Sequence, residues 1–222
     1  MQATLGPKGE VTTIELDRIE RSIARRSAET RATVPSIEYA TVVDFEAGLA
    51  RAAELGGDVV ALLVHATARA LVDVPQVNGA YRDGHYERYS RINVGVTIAE
   101  AGIYAVPTLF DADRKSVAEI ASELADVAQR ARDGQLTPAD LSGATFTLSY
   151  DAGVETLTPL IIAPQAAALA AGPVRRVPVV RDGEVVPGHT IALTLACDHR
   201  IVYGAHAASF LQGVKSHLEE AE

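Results

Sequence analysis

The stretch HTIALTLACDHRIVYGA, residues 189–205, joins an alternating apolar pattern to three consecutive polar residues. The alternation is typical of a strand with one face in a core. Asp198, His199 and Arg200 follow the strand, and Gly204 opens a predicted helix over about 204–219. A histidine at the exit of a central strand suits general-base catalysis, because the unperturbed pKa of histidine lies near neutral pH. A hydrogen-bonded histidine packed in the core is the alternative.

The composition is that of a globular protein. The chain has 222 residues, of which 48% are hydrophobic, so it has enough apolar surface to bury a substantial core. Its formal net charge of −9 argues against sequence-independent binding of nucleic acid, which needs lysine and arginine to neutralise phosphates. No apolar run is long enough to cross a bilayer and no signal peptide is visible, so we expect no membrane partner.

The numbers and positions of cysteine and histidine bear on disulfide formation and metal binding. The single cysteine, Cys197, excludes a disulfide framework within the chain and fits a reducing compartment, so we expect a cytoplasmic protein. Cys197 alternates with Leu193 and Leu195, which predicts a buried, inert thiol. The six histidines are scattered and have no HExxH or cysteine partner, so we expect no metal.

Helix and strand patterns mix along the chain without a regular strand–helix–strand repeat. Two Asp-Gly pairs, at 83–84 and 182–183, predict tight hairpin turns. We therefore expect an α+β fold, a mixed β-sheet covered by helices, in a single domain over residues 1–222. The predicted helices are 13–31, 46–54, 58–73, 116–134 and 204–219, and the predicted strands include 37–45, 91–100, 144–151 and the hairpin and central strand of 174–197.

Ser149 is a second candidate for a functional side chain. It lies at the end of the predicted strand 144–151, where a serine can donate a hydrogen bond to a developing oxyanion. A serine that caps a turn is the alternative. No GxSxG elbow surrounds Ser149, which disfavours a hydrolase nucleophile.

The charged residues near these candidates have simpler interpretations. Asp198 and Arg200 flank His199 on the opposite strand face, and we interpret them as a structural ion pair rather than as catalysts. Arg175 and Arg176 would suit an anionic phosphate tail, but a solvated hairpin face explains them equally well.

Six blocks of the sequence, in the same order, resemble the catalytic domain of dihydrolipoamide acyltransferase, the core component of 2-oxo acid dehydrogenase complexes. That domain shares its fold with chloramphenicol acetyltransferase. The resemblance runs from about residue 14 to the end of the chain. The blocks are LDRIERSIARRSAETRATVP, VPQVNGAY, RINVGVTIAEAGIYAVP, KSVAEIASELADVAQRARDGQLTPADLSGATFTLS, TPLIIAPQAAALAAGPV and DHRIVYGA.

The resemblance implies a homotrimer with active sites between subunits, in a channel that coenzyme A and the acyl acceptor enter from opposite ends. DHRIVYGA falls on the family's His-x-x-x-Asp-Gly motif, which makes His199 the matching general base and Gly204 the motif glycine. Ser149 matches the serine or threonine that stabilises the tetrahedral oxyanion. Acetyl-CoA is the implied co-substrate, and neither a metal nor a covalent acyl-enzyme is needed.

Several departures from the family pattern bear on which member this is. The 222 residues contain no lipoyl domain and no peripheral-subunit-binding module, and Met1 favours a natural start. Tyr203 stands where the motif has aspartate or asparagine, and Glu20 stands where the opening helix has that residue's arginine partner, so we expect a joint replacement of an ion pair. A shorter loop after Ser149, and Ser36 in place of a frequent histidine, favour an altered acceptor channel.

These features predict a free-standing acetyltransferase that acts on a hydroxyl or thiol of a small molecule, as in tetronate-type polyketide pathways of antibiotic biosynthesis. A dihydrolipoamide acyltransferase core is the alternative. A non-catalytic trimeric scaffold is a third interpretation.

Overall fold

A computed structural model describes residues 3–7, 9–54, 58–100 and 103–220 of the chain. The helices are α1 Arg18–Thr33, α2 Glu46–Glu54, α3 Val59–Asp73, α4 Val117–Arg132 and α5 Gly204–Glu220. The strands are β1 Ala3–Gly6, β2 Gly9–Thr12, β3 Ser36–Asp44, β4 Gly79–Arg82, β5 His85–Arg88, β6 Val94–Val96, β7 Ile98–Glu100, β8 Ile103–Ala105, β9 Thr108–Leu109, β10 Phe146–Tyr150, β11 Ala167–Ala171, β12 Arg175–Arg181 and β13 Glu184–Asp198.

A seven-stranded mixed sheet forms the centre of the molecule. Its strand order is β12-β13-β11-β10-β6-β9, and β3 pairs with β13 off this path. Strand β10 runs parallel to both β11 and β6, and the remaining pairs are antiparallel. The predicted α+β fold with a mixed sheet is therefore confirmed, and the long strand β13, whose last residue is Asp198, is central.

The two faces of this sheet differ in side-chain chemistry. Leu148, Leu169 and Leu195 lie opposite one another on neighbouring strands and are fully buried in one apolar cluster with the inner residues of α3 and α5. The next row, Ser149, Ala170 and Thr194, points to the other face because side chains alternate along a strand. The helices thus cover an apolar face, and the opposite face presents small and hydroxyl-bearing residues.

Local sequence signals set many of the element boundaries. Ser116 and Glu119 form a reciprocal capping box at the start of α4, as their spacing predicts. Both predicted Asp-Gly turns form, with positive φ at each aspartate and each glycine (47° and 81°, then 51° and 83°).

Two predicted boundaries were wrong. The first helix begins at Arg18 and not at residue 13, because Asp17 caps it and Glu20 closes a second capping box. The predicted strand 91–100 is interrupted at Thr97, where β6 ends and β7 leaves the main sheet to pair with β8.

Among the described helices, none by itself has the length and apolar content to cross a membrane, although the bent pair α2 and α3 would reach that length together.

Candidate active site

His199 lies in the tight turn that connects β13 to α5. Its backbone N–H donates to the Pro35 carbonyl at 3.0 Å, which ties the turn to the segment between α1 and β3. Val202 is fully buried, and its N–H donates back to Asp198 O at 2.9 Å. The imidazole itself is exposed, so the core-packed alternative is excluded. A fixed backbone thus presents an accessible imidazole.

The predicted ion pair between Asp198 and Arg200 forms beside this histidine. The Arg200 guanidinium donates from Nη2 at 2.6 Å and from Nε at 2.9 Å to the Asp198 carboxylate, which raises the pKa of Arg200 above its usual value. Asp198 is 1% exposed. Arg200 belongs to the turn and not to the strand face, and it folds back over the Tyr81 ring at 3.8 Å from the ring centroid.

Tyr203 contacts His199 directly. Their ring centroids are 5.6 Å apart in an edge-on arrangement, and the Tyr203 hydroxyl donates to Arg200 O at 3.0 Å. Glu20 instead accepts a hydrogen bond from the Asp17 backbone N–H at 2.7 Å. Tyr203 and Glu20 thus each have a local partner, and the expected joint replacement of an ion pair stays a prediction.

Gly204 begins α5, as predicted. A Cβ added at Gly204 would meet its nearest neighbour, the Tyr39 hydroxyl, at 3.5 Å, which is an ordinary van der Waals contact. An alanine would therefore fit at this position.

Ser149 lies near the end of β10 and is half-buried. Its hydroxyl is 2.9 Å from the hydroxyl of Thr97, the residue that follows the last residue of β6. Among the other candidates, Cys197 is fully buried, and burial raises the pKa of its thiol to about 12, which confirms an inert cysteine. Arg175 pairs with Glu155 on the exposed hairpin face.

Within one chain the sheet register keeps His199 and Ser149 apart. Ser149 is level with Ala170 of β11, and Ala170 is level with Thr194 of β13. Asp198, the residue before His199, is four positions further along β13, about 14 Å at ~3.4 Å per residue, and two strands away, about 10 Å across the sheet. The two candidates therefore belong to one site only if a second copy of the chain supplies one of them.

A cavity of about 350 Å³ opens beside the turn. Tyr81, Arg82, Gln165, Asp198 and Arg200 line it, whereas neither His199 nor Ser149 does. This cavity therefore does not connect the two candidates. Across the described ranges, no group of three or more histidine, cysteine or acidic side chains is placed to hold a metal ion.

Comparison with known proteins identifies the family of this chain. Residues 8–222 match the family model described as 2-oxoacid dehydrogenases acyltransferase (catalytic domain). The chain belongs to this acyltransferase family. The resemblance inferred from the six sequence blocks is confirmed.

Among the curated relatives of this acyltransferase domain are dihydrolipoyllysine-residue acetyltransferase components of pyruvate dehydrogenase complexes. The one from Staphylococcus aureus (strain Mu50 / ATCC 700699) is 31% identical over 224 residues, which cover 95% of this chain and 52% of that protein. The one from Mycoplasma capricolum subsp. capricolum is 34% identical over 164 residues, which cover 72% of this chain and 37% of that protein. The chain thus spans 37% and 52% of the length of these two relatives.

Solved acetyltransferase structures have the same fold as this acyltransferase domain. A probable dihydrolipoamide acetyltransferase from Listeria monocytogenes 4b F2365 gives a TM-score of 0.88 at 28% identity, covering 95% of each chain. The dihydrolipoamide acetyltransferase of Azotobacter vinelandii, investigated for the roles of a serine, a histidine and an asparagine in its catalytic mechanism, also gives 0.88, at 26% identity and coverages of 96% and 93%. Chloramphenicol acetyltransferase, with 17% identity, covers 98% of this chain and 100% of that one and shares the fold at a TM-score of 0.56.

Two contacts of the candidate site residues were missed by sequence reasoning. Thr97 was treated only as part of a strand, although it faces Ser149, and Tyr81 was not connected with the DHR triplet at all. Both contacts join residues far apart in sequence. The apolar alternation of residues 92–98 continues unbroken through Thr97, so the sequence held no local signal for its contact with Ser149.

Proposed function

We propose that this chain is the catalytic unit of a dihydrolipoamide acetyltransferase, which exchanges an acetyl group between the thiol of coenzyme A and a thiol of a dihydrolipoyl group. The observation that carries the proposal is the exposed imidazole of His199 at the end of β13. The ion pair between buried Asp198 and partly exposed Arg200, and the hydrogen bond to Pro35 O, hold it there. The family match over residues 8–222 and the named relatives support the substrate class.

The chemistry follows from the two candidate side chains. Neutral His199 takes the proton from the attacking thiol, and the thiolate sulfur adds to the carbonyl carbon of the acetyl thioester. Ser149 donates a hydrogen bond to the oxyanion that forms. The tetrahedral intermediate collapses, the original carbon–sulfur bond breaks, and the imidazolium returns its proton to the departing thiolate. One thioester is consumed and one is formed, with no net gain or loss of protons.

A homotrimer is part of this proposal, because one chain does not bring the two residues together. The sheet register separates them within a protomer, so His199 of one copy would meet Ser149 of the next. In a closed ring every copy then contributes to two sites. The structural relatives include the cubic core of a pyruvate dehydrogenase multienzyme complex, at 27% identity and a TM-score of 0.87.

The spacing of the candidate residues supports their assignment. In the Azotobacter vinelandii enzyme the investigated asparagine follows the histidine by four positions, and the serine precedes the histidine by about fifty. Tyr203 follows His199 by four positions here, and Ser149 precedes it by 50. The chain therefore carries the serine and the histidine and has tyrosine at the third position.

Tyr203 also favours a second candidate function, acetylation of a small-molecule hydroxyl, as the sequence first indicated. A phenol at the third position changes the surroundings of the base, which fits an acceptor other than dihydrolipoamide. None of the relatives named above supports a tetronate-type acceptor. A cytoplasmic location and a single catalytic domain over residues 1–222 stay predictions, the first supported by the free, buried thiol of Cys197.

To test this proposal, the protein is incubated with acetyl-CoA and either dihydrolipoamide or candidate alcohols. Release of the free thiol of CoA and the mass of the product are measured. We expect turnover with dihydrolipoamide. His199→Ala should lower kcat by about 10²–10⁴-fold, and Ser149→Ala by about 10²–10³-fold. His85→Ala, on the exposed β4–β5 hairpin, is the matched control and should retain full activity.

Acetylation of alcohols but not of dihydrolipoamide would replace the first candidate with the second. No turnover with any acceptor, together with no effect of His199→Ala on CoA binding, would support the non-catalytic scaffold.

A further inference from the structure

The hydroxyl of Ser149 has a hydroxyl partner on the segment that follows the neighbouring strand β6. Thr97 Oγ1 lies 2.9 Å from Ser149 Oγ, within hydrogen-bond distance for two hydroxyls. From this contact we infer that Thr97 is a positioning residue, which donates its proton to Ser149 and leaves the Ser149 proton free for the oxyanion. The inference rests on the proposed function, because it assigns Thr97 a part in the same acyl transfer.

The backbone fixes this pair of hydroxyls. Val96 is level with Leu148 in the parallel pairing of β6 and β10, so the next residue of each strand also faces its counterpart. The Thr97 N–H donates to Leu148 O at 2.9 Å and extends the ladder by one bond. Val96 and Leu148, 3% and 0% exposed, anchor both strands in the core immediately before the pair.

The interruption of the strand at Thr97 has a consequence for its side chain. Strand β6 ends at Val96, and the chain then leaves the main sheet to pair β7 with β8. Thr97 is therefore the last residue on this path that hydrogen-bonds to β10. Its branched Cβ restricts rotation about χ1, so its hydroxyl is held toward Ser149 more firmly than that of a serine would be.

The direction of the hydrogen bond between Thr97 and Ser149 matters because each hydroxyl has a single proton to donate. A serine hydroxyl has one proton to donate and two lone pairs to accept with. If Ser149 gave its proton to Thr97, that bond would have to break before an oxyanion could be stabilised. If Thr97 is the donor, Ser149 keeps its proton for the substrate, and accepting a hydrogen bond makes a hydroxyl a better donor in turn. The second arrangement needs no reorganisation during the reaction, which is what a preorganised oxyanion site requires.

The experiment is a double-mutant cycle on the intact protein, with acetyl-CoA and the acceptor that supports turnover. Thr97→Val removes the hydroxyl and keeps the shape of the side chain. We expect kcat to fall about tenfold, the effect of losing one net hydrogen bond in the transition state, with KM for acetyl-CoA within about twofold of wild type. Thr97→Ser should restore most of kcat. In the Ser149→Ala background, Thr97→Val should change kcat by less than about twofold, since residues that act as one unit are not additive.

Thr194→Val is the matched control, because Thr194 lies on the same row and face of the sheet, two strands from Ser149. Thr194→Val should leave kcat within about twofold of wild type. If it lowered kcat as much as Thr97→Val does, the loss in Thr97→Val would come from sheet packing and not from the missing hydroxyl. Should Thr97→Val fail to fold, Thr97→Ala gives the same comparison.

The inference is overturned if Thr97→Val keeps kcat near wild type, or if it causes the same loss with and without Ser149. These outcomes are distinct from failure of the proposed function. If Ser149→Ala lowers kcat and Thr97→Val does not, only the role of Thr97 fails. If Ser149→Ala has no effect, or the wild-type protein transfers no acetyl group, the proposed function fails and this inference fails with it.

Discussion

The phenol ring of Tyr203 packs edge-on against the imidazole of His199, with centroids 5.6 Å apart and ring planes at 83°. This contact and the hydrogen bond from the Tyr203 hydroxyl to Arg200 O connect Tyr203 to both His199 and Arg200 of the turn between β13 and α5. Such aromatic pairs contribute about 0.5–1.5 kcal/mol beyond their buried area. Tyr203 thus restricts the ring that we propose as the base, although half of its own surface is exposed.

Removing the ring of Tyr203 should therefore slow the reaction. We expect Tyr203→Ala to lower kcat by about tenfold or somewhat less, because the contact energy that orients His199 is lost. Tyr203→Phe keeps the ring and should stay within about threefold of wild type. Steady-state kinetics with acetyl-CoA separates kcat from KM. A Tyr203→Ala enzyme that is unchanged in kcat would show that the ring contact does not orient the base.

The buried carboxylate of Asp198 should contribute strongly to stability. Asp198→Asn removes its charge at a 1% exposed position and leaves the Arg200 guanidinium without its ionic partner, so we expect a loss of about 3 kcal/mol in the free energy of unfolding. Urea denaturation measures it. Glu54→Gln is the matched control, because its carboxylate is 64% exposed in a surface pair with Arg51 and should contribute less than about 1 kcal/mol. Equal losses in the two variants would contradict a structural role for the Asp198–Arg200 pair.

Asp140 gives the chain a pH-dependent element of stability. The Thr137 backbone N–H, the Thr137 hydroxyl and the Arg130 guanidinium all donate to its carboxylate and lower its pKa from 3.8 to about 2. A depressed pKa stabilises the fold above pH 3.8, and this contribution is lost as the pH falls toward about 2.

Asp140→Asn should therefore be less stable than wild type at pH 7, and the difference in urea midpoint should shrink below about pH 4. Asp182→Asn, at the tip of the β12–β13 hairpin, is the control, since asparagine also tolerates the positive φ of 51° there. A gap between Asp140→Asn and wild type that stays constant down to pH 2.5 would contradict this assignment.

The proposed sharing of active sites between copies predicts complementation. His199→Ala and Ser149→Ala protomers should each be nearly inactive alone, but a randomly mixed trimer would have about one site in four that joins an intact His199 to an intact Ser149. Denaturing the two variants together and refolding them should restore about a quarter of wild-type activity. If the mixture stays as inactive as its parts, the two residues do not meet across a subunit boundary.

Much of the fold was predictable because its signals are local. The Asp-Gly turns at 83–84 and 182–183, the capping box from Ser116 to Glu119 and the alternation of β13 each depend on residues a few positions apart. The start of α1 was misplaced because an apolar spacing pattern does not show where the helix begins, whereas the side chain of Asp17 does. His199 and Ser149 were named from their places at strand ends and from the resemblance of the surrounding blocks.

The sequence by itself determined the elements, the turns, the family and the two candidate residues, because helix caps, hairpin turns and alternation are properties of short segments. Only the tertiary structure decided which residues meet. It set Thr97 against Ser149, Arg200 over Tyr81 and Tyr203 against His199, and it separated Ser149 from His199 by two strands. The physical reason is strand register, since a shift of one residue exchanges the two faces of a sheet and changes every partner across it.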